Sequence, residues 1–268
     1  RFGRSASLHM LETRLTARDQ QLNYERDLPE VDGKRDLEAF RAKLNDPSRK
    51  MMGPGQVEWL GRELAASVKA GRTWQVIGNE VLMAKIKVPD LQAALGARYA
   101  ELLAAEPEAG KGRAKRYAAQ AAFGAVYGLD MWDGYPAERE RVFATFRATG
   151  ARPIVLAGDS HCFWANELYD SSGAHVAVEF GTTGITSPGG GDYFTTIPVG
   201  AAFEQANPEV VFNDQKAKGF VLLTLTKAEA KAEMVAVSTI LRKDFTASPV
   251  KTLTVTPLAR GVSKLAVA

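Results

Sequence analysis

Asp159 and His161 stand two residues apart in the segment Gly158-Asp159-Ser160-His161, directly after the apolar run Pro153-Ile154-Val155-Leu156-Ala157. A carboxylate and a neutral imidazole together suit a hard or borderline metal ion. At the carboxyl end of a buried strand, both side chains can point into the crevice where open α/β sheets bind ligands. Two ligands do not hold a metal, so the pair reads as half of a site. The plain alternative is an Asp capping a helix with a His packed beside it. Gly158 permits a tight turn, and Phe163-Trp164 supplies an apolar wall that could orient the pair.

Two further side chains could serve a phosphate or a metal. Asn79, in Val76-Ile77-Gly78-Asn79-Glu80, ends a second buried run, and its amide can donate to a phosphate oxygen or ligate a hard cation. Turn geometry after Gly78 explains it equally well. Arg14, near an early strand end, could clamp a phosphate bidentately or form a structural ion pair. The loop 181–192 is rich in Gly, Thr and Ser and could wrap a substrate, but it holds no GxxxxGK[ST] pattern. Cys162 reads as a small packing residue and His175 as an ordinary strand residue.

Gly158-Asp159-Ser160 also admits a serine-nucleophile reading, as in hydrolases with a GDS block. That chemistry needs a base for the hydroxyl. In those enzymes the block lies near the N-terminus and the His follows an Asp by three positions. Here the block lies past the middle. The histidines are His9, His161 and His175, and Ser172 stands three positions before His175.

The elements that must position these residues follow from periodicity. Residues 2–19 read as a strand and a loop, 56–70 as a helix ended by Gly71, and 73–83 as a strand with a functional turn at Gly78-Asn79-Glu80. Helical patterns follow over 94–106, 111–124 and 136–149, the last with Pro136 in its first turn and Gly150 as its stop. Residues 154–157 and 175–180 read as strands, and 219–226 with 233–241 as an antiparallel hairpin. The order is α/β first and β-rich last.

With 268 residues, 46% of them apolar, the chain can bury a sizeable core. Its net charge of +3 is spread out, and the densest basic stretch, 111–116, reads as solvated surface, so no nucleic-acid surface is expected. One cysteine excludes an internal disulfide. No apolar run reaches membrane-span length, and the chain, which opens with Arg1, contains no signal-peptide pattern, as expected if it was processed or cut from something longer.

Several ordered blocks resemble the PhoD-like alkaline phosphatases (alkaline phosphatase D family). They are Phe2-Gly3-Arg4 through Leu11-Glu12-Thr13-Arg14, residues 56–60, Trp74-Gln75-Val76-Ile77-Gly78-Asn79-Glu80-Val81-Leu82-Met83, Trp132-Asp133-Gly134-Tyr135-Pro136, residues 158–168 and residues 179–187. The tail from Asn207-Pro208 to Ile240-Leu241 is similar too. The resemblance implies an α/β fold, the C-terminal part of a metallophosphoesterase-type sandwich of two mixed sheets flanked by helices. Residues 1–268 would be the C-terminal portion of one catalytic domain, with 207–268 as its β-rich tail.

The resemblance also implies hydrolysis of phosphate monoesters and diesters at alkaline pH, with iron and calcium ions and a metal-bound water as nucleophile. Export to the periplasm or outside the cell goes with it. Asp159 and His161 would match the closing metal-binding motif. Asn79 matches more loosely a strand end that carries a ligand in related enzymes, and Glu12 stands where the family has Asp. The family's N-terminal half brings a Cys, an Asp and Tyr pair and an Asp-Asp-His-Glu segment. None of these occurs here, and Cys162 is out of place for that Cys. The expectation is a chain inactive alone, completed by the missing N-terminal half, or else a non-catalytic remnant or one subunit of a split enzyme.

Overall fold

In chain order the elements are β1 (Ala6–Met10), α1 (Tyr24–Asp27), β2 (Glu30–Val31), β3 (Lys34–Arg35), α2 (Leu37–Leu44), α3 (Pro54–Lys69), β4 (Trp74–Gly78), α4 (Leu91–Leu95), α5 (Tyr99–Ala105), α6 (Glu108–Ala121) and α7 (Pro136–Thr149). Then come β5 (Pro153–Ala157), β6 (Phe163–Tyr169), β7 (His175–Gly181), α8 (Val199–Ala206), β8 (Val210–Asp214), β9 (Gly219–Leu225), β10 (Ala230–Val237), β11 (Ala247–Val255) and β12 (Ala266–Val267). This is a computed structural model, and it describes residue 3 and residues 5–268. Phe2 and Arg4 of the opening motif lie outside the described residues.

Six strands form a mixed sheet in the order β1-β4-β5-β7-β6-β8. β1, β4, β5 and β7 run parallel, while β6 and β8 are antiparallel to their neighbours. A second sheet, β12-β11-β10-β9, is antiparallel throughout. β4, β5 and β7 are buried on both faces, which explains their near-continuous apolar sequences, while β1 at the edge leaves Leu8 and Met10 exposed. One face packs Ile77, Val155 and Ala177 against Leu60 and Leu64 of α3, Phe143 and Phe146 of α7 and Phe203 of α8. The other packs Trp74, Ile154, Val178 and Phe180 against Ala232, Met234, Leu253 and Val255 of the second sheet. Truncating a core aromatic such as Phe143 costs about 3–5 kcal/mol.

The sandwich expected from the sequence is present, with one difference of detail. The second sheet is antiparallel rather than mixed, and among the described residues the flanking helices lie on the first sheet. Helix 136–149 is α7, with Pro136 at its first turn and Gly150 left-handed at φ +67°. The 94–106 helix is broken: α4 stops at Gly96, whose φ of +55° the helix cannot continue through, and α5 restarts at Tyr99. Phe163 and Trp164 do not form a wall beside the Asp-His pair. They begin β6, so they alternate into the two cores and both are fully buried.

Between β4 and α4 the chain runs buried without regular pairing, and side chains take up its amides. Glu179 accepts from Met83 and Ala84, Glu209 from Lys85, Asp133 from Ile86 and Asn207 from Lys87. This accounts for four of the buried polar side chains, since an unmet buried N–H is costly. Burial pushes the Glu179 and Glu209 carboxyls up to about 7 even against these hydrogen bonds. Among the described residues no helix is long and apolar enough to cross a membrane.

Candidate active site

The carboxyl ends of β1, β4, β5 and β7 lie side by side and are tied together by backbone bonds. Leu11 N–H donates to Gly78 O, Asn79 N–H to Leu156 O, Gly158 N–H to Glu80 O and Thr182 N–H to Ala157 O. This row of parallel strand ends is the ligand-binding edge of an open α/β sheet.

After β5 the chain folds into a γ-turn. Ser160 N–H donates to Gly158 O at 2.7 Å, and Asp159 between them has φ +63°. This form of γ-turn is rare and strained. His161, two residues on, also lies in the left-handed region at φ +58°. Non-glycine residues held there cost about 1–3 kcal/mol each and cluster at functional sites.

Arg14 meets this turn from the loop after β1. Its Nη2 donates to Asp159 Oδ2 at 2.7 Å, and its Nη1 reaches Asp130 Oδ2 at 3.5 Å. The Asp159 side chain is 42% exposed, so the pair contributes about 1 kcal/mol or less to stability. Its loop is held on both sides. Glu12 accepts from the amides of Arg14, Leu15 and Thr16 and from the Thr16 hydroxyl. The Thr16 hydroxyl and those amides hold the Glu12 carboxyl down at about 2. Glu12 thus works as a local clamp on the Arg14 loop. Thr13 donates both its amide and its hydroxyl to Glu80 Oε2, at 2.7 and 2.6 Å.

His161 is oriented by the Gly-rich loop. Its Nδ1 lies 2.8 Å from Pro188 O, so it carries the proton and leaves Nε2 a free lone pair. A Cβ on Gly184 would stand 3.1 Å from the imidazole, and one on Gly189 2.6 Å from His161 O. The loop that could wrap a substrate packs against His161.

The structure therefore brings Arg14 and Asp159 into contact, with His161 following in the same turn. Asn79 does not join them. It is buried, its Oδ1 accepts from the Trp132 indole at 3.0 Å, and its Nδ2 donates to Val81 O. One lone pair and one N–H of that amide remain unspent. Ser160 Oγ is buried without a hydrogen-bond partner and has no base beside it, which removes the support for a serine nucleophile. Cys162 is buried, and burial pushes its thiol up to about 11, as befits a packing residue. Sequence reasoning named Glu80 and Thr13 within motifs without giving them a role, and missed Asp130. Glu80 adjoins Asn79 in the chain, but only the fold shows its carboxylate reaching Thr13.

The donor chemistry of Asp159 and His161 fits a metal ion in part. The carboxylate is half-exposed and already faces a cation, and the imidazole has a free Nε2. Among the described residues no group of three or more His, Cys, Asp or Glu side chains is gathered to hold one.

The sequence model of the PhoD-like phosphatase family matches residues 1–234. The chain belongs to the PhoD-like phosphatase family. It is 29% identical over 241 residues to alkaline phosphatase D of Bacillus subtilis (strain 168), a match covering 87% of this chain and 32% of that protein. The solved structure of PhoD shares the fold with a TM-score of 0.65 at 22% identity, over 100% of this chain and 43% of its own. The chain thus spans about a third of the curated relative and less than half of the solved one.

Proposed function

We propose that this chain carries part of the active site of a metal-dependent phosphoric-ester hydrolase acting on phosphate monoesters and diesters. The observation that carries the reading is Arg14 Nη2 at 2.7 Å from Asp159 Oδ2, in a row of parallel strand ends that also presents His161. Family membership and the B. subtilis relative support it.

Asp159 and His161 would hold metal, iron or calcium by the resemblance. Bound there, such an ion supplies Lewis acidity at a phosphoryl oxygen and a water of lowered pKa. The remaining work belongs to the chain's own groups. Arg14 offers a rigid cationic fork to the phosphate oxygens, where charge builds in the transition state. Glu12 and Glu80 keep the Arg14 loop from moving, and the Pro188 carbonyl engages Nδ1 of His161, leaving Nε2 as its ligating atom. Asn79 would reach substrate or metal only through its one unspent lone pair or N–H. Its bonds to Trp132 and Val81 fix the end of β4. An alkaline optimum and export to the periplasm or outside the cell belong to the same reading.

Two donors are too few for a closed metal site. The chain alone is therefore proposed to be inactive, working with further polypeptide of the family. The test is metal-dependent hydrolysis of p-nitrophenyl phosphate and its bis-ester at alkaline pH. It is run on the chain alone and together with the portion of a relative that the chain does not match. Activity that requires both and is lost in Asp159→Ala supports the reading. Robust turnover by the chain alone refutes its inactivity in isolation, and no turnover in either favours a non-catalytic remnant.

A further inference from the structure

The buried segment after Glu80 leads to a second concave site, at the far end of the large sheet. Tyr169 pairs with His175 at the amino end of β7, whereas Asp159 follows β5 at the carboxyl ends. The length of β7, about 20 Å, separates the two. There Lys85, Ile86 and Lys87 join Val126, Tyr169 and Pro208 around a cavity of about 450 Å³, a size common among small-molecule pockets. Its frame is fixed in advance. The Lys87 amide donates to Asn207 Oδ1 at 2.7 Å, the Lys87 carbonyl accepts from Asn207 Nδ2 at 3.1 Å, and Lys87 makes a β-bridge to Val126.

Arg139 of α7 lines this cavity and is only 4% exposed. Its Nη1 is spent, donating to Asp133 Oδ1 at 2.7 Å and to Met83 O at 3.2 Å. Its Nε is buried with no hydrogen-bond partner, and Nη2 donates to no group among the described residues. Nε–H and Nη2–H together form the edge of the guanidinium fork that grips two oxygens of one planar group. The nearby carboxylates are engaged elsewhere, Glu179 by Met83, Ala84 and Asn166, and Glu209 by the Lys85 amide. A buried N–H left unmet is costly, so this edge calls for an acceptor from outside the chain. Charge narrows its class. Lys85, Lys87 and Arg139 bring three positive charges to the lining against the two carboxylates of Asp133 and Glu209. The surplus of one suits a monoanion, and a phosphate dianion would overshoot it beside those carboxylates.

We propose that this cavity binds a small organic carboxylate, its two oxygens on the Nε–Nη2 edge of Arg139 and its apolar body against Ile86, Val126 and Pro208. Arg14, Asp159 and His161 take no part, and the assignment stands apart from the phosphoesterase reading.

The probe is benzoate, titrated into the chain and followed by NMR through the Arg139 Nε–H resonance and through saturation transfer to the benzoate protons. The expected result is saturable binding that moves that resonance. Ala206, at the end of α8, lines the cavity from an exposed position. Ala206→Trp should therefore fill the mouth and abolish binding, with the melting temperature unchanged. Arg139→Lys keeps the charge but loses the fork, and should weaken binding about tenfold or more. Arg14→Met should bind benzoate as the unaltered chain does. No saturable binding, an Arg139 Nε–H resonance that stays put at saturation, binding that survives Ala206→Trp, or binding lost in Arg14→Met overturns the proposal. Inorganic phosphate that occupies the cavity more tightly than benzoate overturns the choice of a carboxylate.

Discussion

Arg14 and Asp159, 145 residues apart in sequence, meet at 2.7 Å across the end of β4. Glu80 binds the two halves together. Its carboxylate holds Thr13, next to Arg14, while its backbone carbonyl holds Gly158, next to Asp159. One residue after β4 thus fixes the distance between two loops that come from the strands on either side.

Arg14→Met and Asp159→Asn should each lower kcat/KM of the completed enzyme by about 10²–10³-fold, the usual effect of removing one group aimed at developing charge. Steady-state kinetics with p-nitrophenyl phosphate measures this. A change below about threefold in either variant would remove that residue from the site.

Thr13→Val deletes one of two hydrogen bonds to Glu80. It should destabilise the chain by about 1–2 kcal/mol and loosen Arg14, raising KM more than it lowers kcat. A urea melt and a KM-against-kcat comparison check both parts. Equal loss in both kinetic terms would argue against Glu80 as the support of Arg14.

Gly189→Ala places a methyl group 2.6 Å from His161 O, and Gly184→Ala places one 3.1 Å from its ring. Both should shift the His161 imidazole resonances in an NMR titration and weaken metal binding, Gly189→Ala the more. Unaltered His161 resonances in both would show that the loop does not orient the imidazole.

The share of stability due to Glu179 and Glu209 should fall as pH rises from about 5 to about 8, while His9 and His175, lowered by burial, contribute stability that is lost as pH falls below 6.5. The Glu179 and Glu209 carboxyls are raised by burial from 4.5 to about 7, so folding favours their protonated forms. Their contribution is full below the unfolded value of 4.5 and is lost as pH climbs through about 7. Glu106 works in the opposite window. Burial raises it, but the amides of Thr195, Ile197 and Thr196 and the Thr196 hydroxyl together lower it to about 2, so its share is lost as pH falls from 4.5 toward 2. Urea midpoints across this range test the sign, and Glu209→Gln should flatten the alkaline limb. A pH dependence between about pH 5 and pH 8 that is the same with and without Glu209→Gln contradicts the assignment.

Much of this was legible in the sequence, for physical reasons. Apolar runs at 74–78, 153–157 and 175–181 announce buried parallel strands, and Pro136 with Gly150 brackets α7 because their backbones allow little else there. Gly158-Asp159-Ser160-His161 drew notice through residue type alone. The break at Gly96 escaped because its Ala-rich flanks keep helical spacing on both sides. Phe163-Trp164 was misread because alternation into two cores looks, in sequence, like one apolar patch. Asp133 and Glu179 stand inside the matched blocks, but their task and that of Glu209, serving amides of a distant segment, left no mark in the sequence.

The two left-handed residues couple strain to chemistry at this turn. Glycine at 159 or 161 would adopt the same backbone without strain, and such relief is worth of order 1 kcal/mol or more. Each glycine would also remove a carboxylate or an imidazole from the row of strand ends. Asp159→Gly and His161→Gly should therefore make the chain more durable while emptying it of the donors proposed for the metal.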